Sequence, residues 1–422
     1  MRGDLIIKNA SELVTVSGIA QKKGAAMKDL GIIRDGAVVV DKGTIARVGT
    51  TDEVLRSVDP NRYEVIDATG KAVLPGFVDA HTHFVFGGFR AEEFSFRLSG
   101  MTYMEIMQRG GGIASTVEST RAASRDDLIA SGMKRLDRML SFGVTTVEGK
   151  SGYGLDLETE IKQLEVMRTL DERHPVDVVR TFLGAHAIPR EYRNDPEGYV
   201  DYVVHKVLPE IARHDLARFC DIFCEKGVFE LAQSRRLLEA ARSCGLALKL
   251  HADELTPLGG AELAAELSAV SADHLLYASA QGIAHMAGRD VVAVLLPATA
   301  FCLKEPYAPA RSMIEAGCAV ALATDFNPGS CFSESIPLIF ALATLYMGIT
   351  PEEALTACTL NGAAALGCAQ QVGSIDPGKQ GDLVILEFPS YLFIPYHIGV
   401  NCVEKVIKKG DVVYDSEESY QG

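Results

Sequence analysis

Residues 76–86 read GFVDAHTHFVF, a short apolar run that ends in two histidines. Side chains alternate between the two faces of a β-strand, so His81 and His83 project to one side while Thr82 points to the other. Two neighbouring imidazoles provide half of a metal site. The pair fits a solvated strand face equally well, so its meaning depends on the ligands that the rest of the chain supplies.

Seven further apolar runs follow, separated by segments of helical character. This alternation is typical of repeated βα units and a parallel sheet. We therefore predict an α/β fold, a (β/α)8 TIM barrel, whose active site lies at the C-terminal ends of its strands. A doubly wound open sheet is the competing architecture, but no glycine-rich phosphate fingerprint follows the first run. The eight runs are GFVDAHTH (76–83), GVTTVEGK (143–150), VVRTFLGAH (178–186), FCDIFCEK (219–226), LALKLHADE (246–254), AVSADHLL (269–276), VVAVLLPAT (291–299) and AVALATDFN (319–327).

Helices are predicted between the runs, and a flexible substrate loop is predicted at GGGI (110–113) because these glycines follow a helix rather than a strand. The predicted helices cover residues 103–110, 124–143, 156–172, 234–245, 260–270 and 310–318.

The two ends of the chain have a different pattern, with short β runs such as GAVVVDKGTIARVG near the start and VEKVIKKGDVVYD near the end. Antiparallel strands with one packed face need partners, and neither end provides a core alone. We predict that residues 1–72 and 377–422 combine into one small β-sandwich domain. The barrel domain would then span residues 73–376.

Histidine and carboxylate side chains follow five of the eight runs, and a barrel would bring them onto one rim. Imidazole nitrogens with one carboxylate oxygen suit a divalent ion such as zinc or ferrous iron, which lowers the pKa of a bound water. Taken alone, His274 fits a core histidine and Asp325 fits a helix N-cap. The side chains concerned are His81, His83, His186, His251, Asp253, Glu254, His274 and Asp325.

Composition narrows the class of protein. A formal net charge of -15 disfavours nucleic acid as a partner. The start, MRGDLIIKNASELVT, lacks the apolar core of a signal peptide, and no apolar stretch reaches the length of a membrane span, so we expect a cytoplasmic protein. Nine cysteines without a C-x-x-C pair indicate reduced thiols rather than a disulfide framework, and we interpret Cys220 and Cys224 as buried thiols.

The order of these residues resembles that of the amidohydrolase superfamily: His-x-His follows the first run, single histidines follow the fifth and sixth runs, and Asp follows the eighth. Longer blocks resemble its imidazolonepropionase family. The resemblance implies hydrolysis of the ring amide of 4-imidazolone-5-propanoate to N-formimino-L-glutamate in histidine degradation, and a homodimer. The blocks are HTHFVFGGFRAEEF (81–94), YMEIMQRGGGIASTV (103–117), KSGYGLDLETE (150–160), FLGAHAIP (182–189), DIFCEKGVF (221–229), HADEL (251–255) and ATDFNPGS (323–330).

The resemblance also implies roles for single residues. His81, His83, His251 and Asp325 would hold one divalent metal ion, zinc or iron, and Asp325 would also belong to the catalytic group. Glu254 would carry a proton from the attacking water to the leaving ring nitrogen, and His274 would steady the water or the oxyanion. The residues implied for substrate binding are Arg90, Tyr153, His186, Glu254, Asn327, Gly329 and Ser330.

Chemistry independent of the resemblance agrees with these roles. Ring opening needs an ionised water, an electrophile and an acid, which a metal, His274 and Glu254 could supply. Arg90 could grip the propanoate carboxylate in two places, although a surface salt bridge with Glu92 or Glu93 is the alternative. Tyr153 could lie on a flat heterocycle or be packed in its loop.

Lys226 stands where two-metal relatives carry a bridging, modified lysine. The block around it resembles the one-metal branch, so we interpret Lys226 as structural, and Asp253 as a residue that orients a neighbour.

Two other functions remain open from sequence. A guanine deaminase-like activity on an aromatic amidine is the closer rival, because an H-x-x-E after the fifth strand also serves deaminases of this superfamily. A non-catalytic barrel scaffold is the rival of another class, although such members tend to lack metal ligands.

Overall fold

The computed structural model describes residues 4–101, 105 and 111–419. The two ends of the chain form small β-sheets, and the segment between them forms a barrel. Strands of the N-terminal part are β1 (Leu5–Ala10), β2 (Glu12–Val14), β3 (Ile32–Ile33), β4 (Gly36–Asp41), β5 (Thr44–Thr50), β6 (Glu64–Asp67) and β7 (Ala72–Pro75).

Within the described residues, the middle of the chain forms an eight-stranded parallel sheet in which each strand pairs with the next. The ring closes because Asp325 donates its backbone N–H to the His81 carbonyl at 3.0 Å and His83 donates to the Phe326 carbonyl at 2.9 Å. Every predicted run overlaps one of these strands, so the predicted barrel is confirmed. The strands are β8 (Phe77–Asp79), β9 (Val144–Lys150), β10 (Asp177–Ala185), β11 (Phe219–Cys224), β12 (Ala247–Ala252), β13 (Ser271–His274), β14 (Val292–Leu295) and β15 (Val320–Leu322).

The C-terminal part of the chain returns to the N-terminal sheets. It adds β16 (Leu383–Leu386), β17 (Val403–Lys408) and β18 (Asp411–Asp415). Because β16 pairs antiparallel with β7, one sheet of order β18-β17-β16-β7-β2-β3 contains strands from both ends. A second sheet, β5-β4-β1-β6, shares an apolar cluster with it, in which Val38 and Leu383 take part. The prediction that both ends build one β module is confirmed, while the domain limits at 72 and 377 stay predictions.

Helices surround the barrel, and the two longest lie where the sequence predicts them. Arg125–Ser141 begins after Ser124, whose hydroxyl accepts the Asp127 N–H, and Leu157–Arg173 begins after Asp156, whose carboxylate accepts the Thr159 N–H. Such N-caps satisfy backbone donors that a helix leaves unpaired. The remaining helices are Thr51–Leu55, Ala91–Leu98, Ile113–Ala122, Pro196–Tyr202, Leu208–Arg213, Leu231–Ser243, Gly260–Glu266, Ala280–Gly288, Pro297–Leu303, Ala310–Glu315, Ile336–Tyr346, Pro351–Ala357, Leu360–Ala365, Phe393–Tyr396 and Ser416–Ser419, with 3-10 turns at Gly24–Lys28, Pro60–Arg62 and Arg190–Tyr192 and a π-helical turn at Val203–Val207.

Some helix and loop predictions differ from the structure in their bounds, and one is not tested by it. The helix predicted from residue 234 begins at Leu231, because Gln233 accepts the Glu230 backbone N–H at 3.0 Å and stabilises an earlier start. The predicted GGGI loop ends at Gly112, since a helix starts at Ile113. The helix predicted over 103–110 lies outside the described residues, apart from residue 105. Among the helices of the described chain, none combines the length and apolar character required to cross a membrane.

Candidate active site

The four side chains predicted as metal ligands lie together at the C-terminal rim of the barrel. His81 and His83 follow β8, His251 lies in β12 and Asp325 follows β15, and each exposes 2% or less of its surface. One ligand atom from each of the three histidines lies within 4.8 Å of the others. Asp325 Oδ1 lies 3.5 Å from both His81 Nε2 and His83 Nε2. The arrangement can therefore surround a single ion.

Carboxylates behind the imidazoles fix which nitrogen faces this cluster. His81 Nδ1 lies 2.6 Å from Asp273 Oδ2, and His251 Nδ1 lies 3.1 Å from Asp221 Oδ2. An N–H directed at a carboxylate leaves the opposite nitrogen with a lone pair, which is the form that binds metals. Burial lowers the pKa of His81 well below its ordinary value. Burial also lowers the pKa of His251, but the Asp221 charge outweighs it, so that this pKa is raised.

Several buried nitrogens of the rim have no hydrogen-bond partner among the described residues. They are Nδ1 of His83, Nε2 of His251 and both ring nitrogens of His274. Buried polar atoms are normally satisfied, so a group of unsatisfied ones indicates a missing partner. Three imidazoles and one carboxylate are ligands that zinc and ferrous iron prefer. The residues present fit a divalent ion of this kind.

Asp325 is held so that one oxygen remains directed at the histidines. The Thr299 hydroxyl donates to Asp325 Oδ2 at 2.6 Å, while Oδ1 faces His81 and His83. Burial raises the pKa of Asp325 to about 6, against the opposing effect of the Thr299 hydrogen bond. A cation beside this carboxylate would stabilise its charged form.

Glu254 and His274 lie against each other next to the cluster. His274 Nε2 lies 3.5 Å from Glu254 Oε2. Burial raises the pKa of Glu254 to about 8, with a further contribution from the negative charge of Asp325. Burial lowers the pKa of His274 well below its ordinary value. A carboxyl that titrates near neutrality can both accept and return a proton, and a neutral imidazole can donate a hydrogen bond.

His186 and Tyr153 form an aromatic wall beside His83. The His186 ring stacks on the His83 ring with centroids 4.9 Å apart and an interplanar angle of 14°. The Tyr153 ring lies 5.3 Å from the His186 ring, and it exposes 3% of its surface. The wall therefore borders the proposed metal position with flat, largely apolar groups.

Arg90 makes the salt bridge that the sequence left as an alternative. Its Nε donates to Glu93 Oε2 at 2.8 Å, and Nη2 lies 2.7 Å from the same oxygen. The pair is not on the open surface, because the two side chains expose 14% and 13%. The other edge of the guanidinium lies against Gly329, where an added Cβ would come within 2.2 Å of Nη1. A side chain at position 329 would therefore displace the Arg90 guanidinium from this contact.

Asn327 organises the turn after β15 rather than presenting a free amide. Its Oδ1 accepts the backbone N–H groups of Gly329 and Ser330, both at 2.8 Å, and its Nδ2 donates to the Ser330 hydroxyl at 2.8 Å. The Gly329 carbonyl accepts from Arg97 Nη2 at 2.7 Å. These three predicted substrate residues lie beside Arg90, with their polar groups engaged in the turn.

Lys226 and Asp253 do not belong to the group of proposed metal ligands. Lys226 is exposed after β11, whereas Asp253 accepts the backbone N–H groups of Gly259, Gly260 and Ala261 at the start of a helix. All nine cysteines are free thiols.

A buried ion network beneath the rim was missed by the sequence analysis. It consists of Glu148, Lys150, Asp221, Lys249 and Asp273, each with 0% exposure. The sequence does carry a signal for this network. Lys249 lies two positions before His251 in the same strand, so both side chains point to the same side, which is the barrel interior.

Comparison with known proteins places the chain in a family. Two models described as amidohydrolase family match residues 64–109 and 225–413. Imidazolonepropionase of Clostridium tetani is 59% identical over 413 residues, which cover 98% of this chain and 99% of that protein. Imidazolonepropionase of Parabacteroides distasonis is also 59% identical and covers 97% of this chain and 98% of that protein. The chain belongs to the imidazolonepropionase family.

Membership of the imidazolonepropionase family confirms the resemblance seen in the sequence and bears on the rival interpretation. The structure of E. coli guanine deaminase aligns with a TM-score of 0.70 over 98% of this chain and 100% of that chain, at 16% identity. At that identity the likeness shows a shared fold alone. The full-length sequence match therefore favours the imidazolonepropionase family over a deaminase.

Proposed function

We propose that this chain hydrolyses the ring amide of 4-imidazolone-5-propanoate to N-formimino-L-glutamate, a step of histidine degradation. The observation that carries the proposal is the convergence of three imidazoles and Asp325 beside Glu254. It occurs in a chain that is 59% identical over nearly its full length to proteins named imidazolonepropionase.

His81, His83, His251 and Asp325 would hold one divalent ion, zinc or iron. The unsatisfied nitrogens of His83 and His251 and the lowered pKa values of His81 and His83 support this assignment. When bound, such an ion supplies Lewis-acid activation of a water molecule at neutral pH. The exposed position of Lys226 supports a site with one ion rather than a lysine-bridged pair.

Glu254 takes the proton of the attacking water and returns it to the ring nitrogen. The water oxygen forms a bond to the ring carbonyl carbon, the carbon–nitrogen bond breaks, and the nitrogen leaves with the proton that Glu254 carried. His274, 3.5 Å from Glu254, donates an N–H to the oxygen on which negative charge develops. Burial of both groups strengthens these interactions.

The aromatic wall and Arg90 would orient the substrate. The flat imidazolone ring can lie against Tyr153 and His186. Glu93 takes the Nε and Nη2 edge of Arg90, and the remaining N–H donors of the guanidinium would bind the propanoate carboxylate. The turn around Asn327, Gly329 and Ser330 supports that position from the far side.

We also propose a homodimer that works in the cytoplasm. Helix Ile336–Tyr346 packs against Phe393–Tyr396, and exposed apolar side chains in and next to these segments support an interface between copies. Nine free thiols suit a reducing compartment. The exposed apolar side chains are Leu345, Tyr346, Leu392, Tyr396, Ile398 and Val400.

The test compares two substrates on the purified chain. Loss of ultraviolet absorbance by imidazolonepropanoate, without ammonia release from guanine, is the expected result. Metal analysis of the same sample should find about one ion per chain. Ammonia release from guanine would favour the deaminase, and metal without either reaction would favour the scaffold.

A further inference from the structure

The buried ion network under the rim centres on Lys150. Its Nζ lies 2.7 Å from Asp221 Oδ2, 3.3 Å from Asp273 Oδ2 and 2.9 Å from Glu148 Oε2. Lys249 Nζ lies 2.9 Å from the other oxygen of Glu148. Buried charges are stable only when they are paired in this way.

The oxygens that Lys150 binds are those that face the histidines. Asp273 Oδ2 also lies 2.6 Å from His81 Nδ1, and Asp221 Oδ2 also lies 3.1 Å from His251 Nδ1. One ammonium therefore connects the carboxylates behind two of the proposed metal ligands. The remaining oxygens are occupied, since Ser271 donates to Asp273 Oδ1 at 2.6 Å and the Ile222 N–H donates to Asp221 Oδ1 at 2.7 Å.

We infer that Lys150 is a positioning residue of the metal centre: it clamps Asp221 and Asp273 so that His81 and His251 present Nε2 to the ion. Without the ammonium, two like charges within 3.3 Å of the same point repel each other and turn away. The imidazoles then lose the partners that fix their orientation. This inference rests on the proposed metal centre.

A purely structural role for Lys150 is the alternative, and the chain offers a matched control. Lys408 is 4% exposed, and its Nζ lies 2.7 Å from Asp177 Oδ2 and 2.7 Å from Asp382 Oδ2. It also donates to the Thr145 carbonyl at 2.9 Å, near the start of β9 and thus at the end of the barrel away from the rim. Lys408→Met removes an equally buried ammonium from between two carboxylates that touch no proposed ligand.

The experiment measures zinc dissociation constants of the full chain by competition with a chromophoric chelator. Lys150→Met should weaken zinc binding by about 10 to 100-fold, while Lys408→Met should stay within about threefold of the natural chain. With Co²⁺ in place of zinc, the visible absorption bands should change in Lys150→Met only. Equal zinc affinities of the two variants would overturn the inference.

Lys150→Gln covers the case in which the Met variant fails to fold, since it keeps a hydrogen-bond donor without the charge. It should also bind zinc more weakly than Lys408→Met, and an affinity equal to that of the natural chain would overturn the inference. A natural chain that binds no zinc or iron would instead overturn the proposed metal centre, so the two failures are distinguishable.

Discussion

The two ends of the barrel bury ionisable groups in opposite ways. At the end away from the rim, burial acts to raise the pKa of Asp177, but Lys408 outweighs it and the pKa is lowered. At the rim, burial prevails and raises the pKa of Glu254 to about 8 and that of Asp325 to about 6. One end therefore stabilises charged pairs, and the other holds carboxyls that resist ionisation.

This difference separates the residues that stabilise the fold from those proposed to perform the chemistry. Lys408 and its two carboxylates satisfy one another, whereas the rim leaves nitrogens of His251 and His274 without partners among the described residues. Carboxyl groups with shifted pKa values and imidazoles without hydrogen-bond partners are typical of sites where a bound ligand supplies the missing interactions. A bound cation would stabilise the folded state by mass action.

Removing a proposed metal ligand should have the largest effect. His251→Ala should lower kcat/KM on the order of 10³-fold or more, because Lewis-acid activation contributes several kcal/mol to transition-state stabilisation. Absorbance assays and metal analysis on the same sample check this. The exposed His214, replaced by Ala, is the control and should retain both metal and activity. Full activity in a metal-free His251→Ala chain would contradict the prediction.

Glu254→Gln should lower kcat by about 10² to 10⁴-fold, since it removes the group proposed to carry the proton. The metal content should stay unchanged, because Glu254 is not a proposed ligand. Glu239→Gln, at a side chain that is 56% exposed, is the control. A parallel loss of metal and activity in Glu254→Gln would instead identify Glu254 as a ligand.

At the opposite end, Lys408→Met should lower the free energy of unfolding by about 3 to 5 kcal/mol, because it leaves the buried carboxylate of Asp382 without its cation. Urea unfolding measures this, and kcat should remain that of the natural chain. Lys405→Met on the same strand removes a more exposed pair with Asp415 and should cost about 1 kcal/mol or less. Similar losses of unfolding free energy in Lys408→Met and Lys405→Met would contradict the expected difference between a buried and a more exposed ion pair.

Arg90→Met should lower kcat/KM by about 10 to 100-fold, mostly through KM, since a charge-assisted hydrogen bond contributes about 1.5 to 3 kcal/mol. Glu93→Gln serves as the control, because it removes the partner of Arg90 but keeps the guanidinium. If both variants lose stability and neither changes KM, Arg90 acts only as the partner of Glu93.

The smallest effect is that of a change of one pH unit. The folded pKa of Glu254 lies above its ordinary value of 4.5, so the folded metal-free chain binds more protons than the unfolded chain between about pH 4.5 and 8. Its stability should therefore fall as pH rises through that window, by at most about 1.4 kcal/mol per pH unit from this group. Chemical unfolding at several pH values tests this. In Glu254→Gln the free energy of unfolding should depend less steeply on pH. An unchanged pH dependence would contradict the assignment of the raised pKa to Glu254.

Sequence patterns predicted the barrel and the residues of the rim for physical reasons that can be stated. The period-2 placement of His81 and His83 and the polar ends of successive apolar runs follow from strand geometry. Helix Ile336–Tyr346 was missed because it is apolar on nearly all sides, so it carries no 3.6-residue period. The choice between a salt bridge and a free cation at Arg90 stayed open, because both fit the same residue type.

The order of strands and helices, the family and the kinds of side chain at each strand end could be predicted without a structure, because they depend on local periodicity and residue chemistry. Which groups meet depends on how the chain folds in three dimensions. His81 and Asp273 are 192 positions apart in the chain, yet 2.6 Å separates their atoms. The pKa of Glu254 and the clamp formed by Lys150 arise from burial and from such distant neighbours, and no local pattern encodes them.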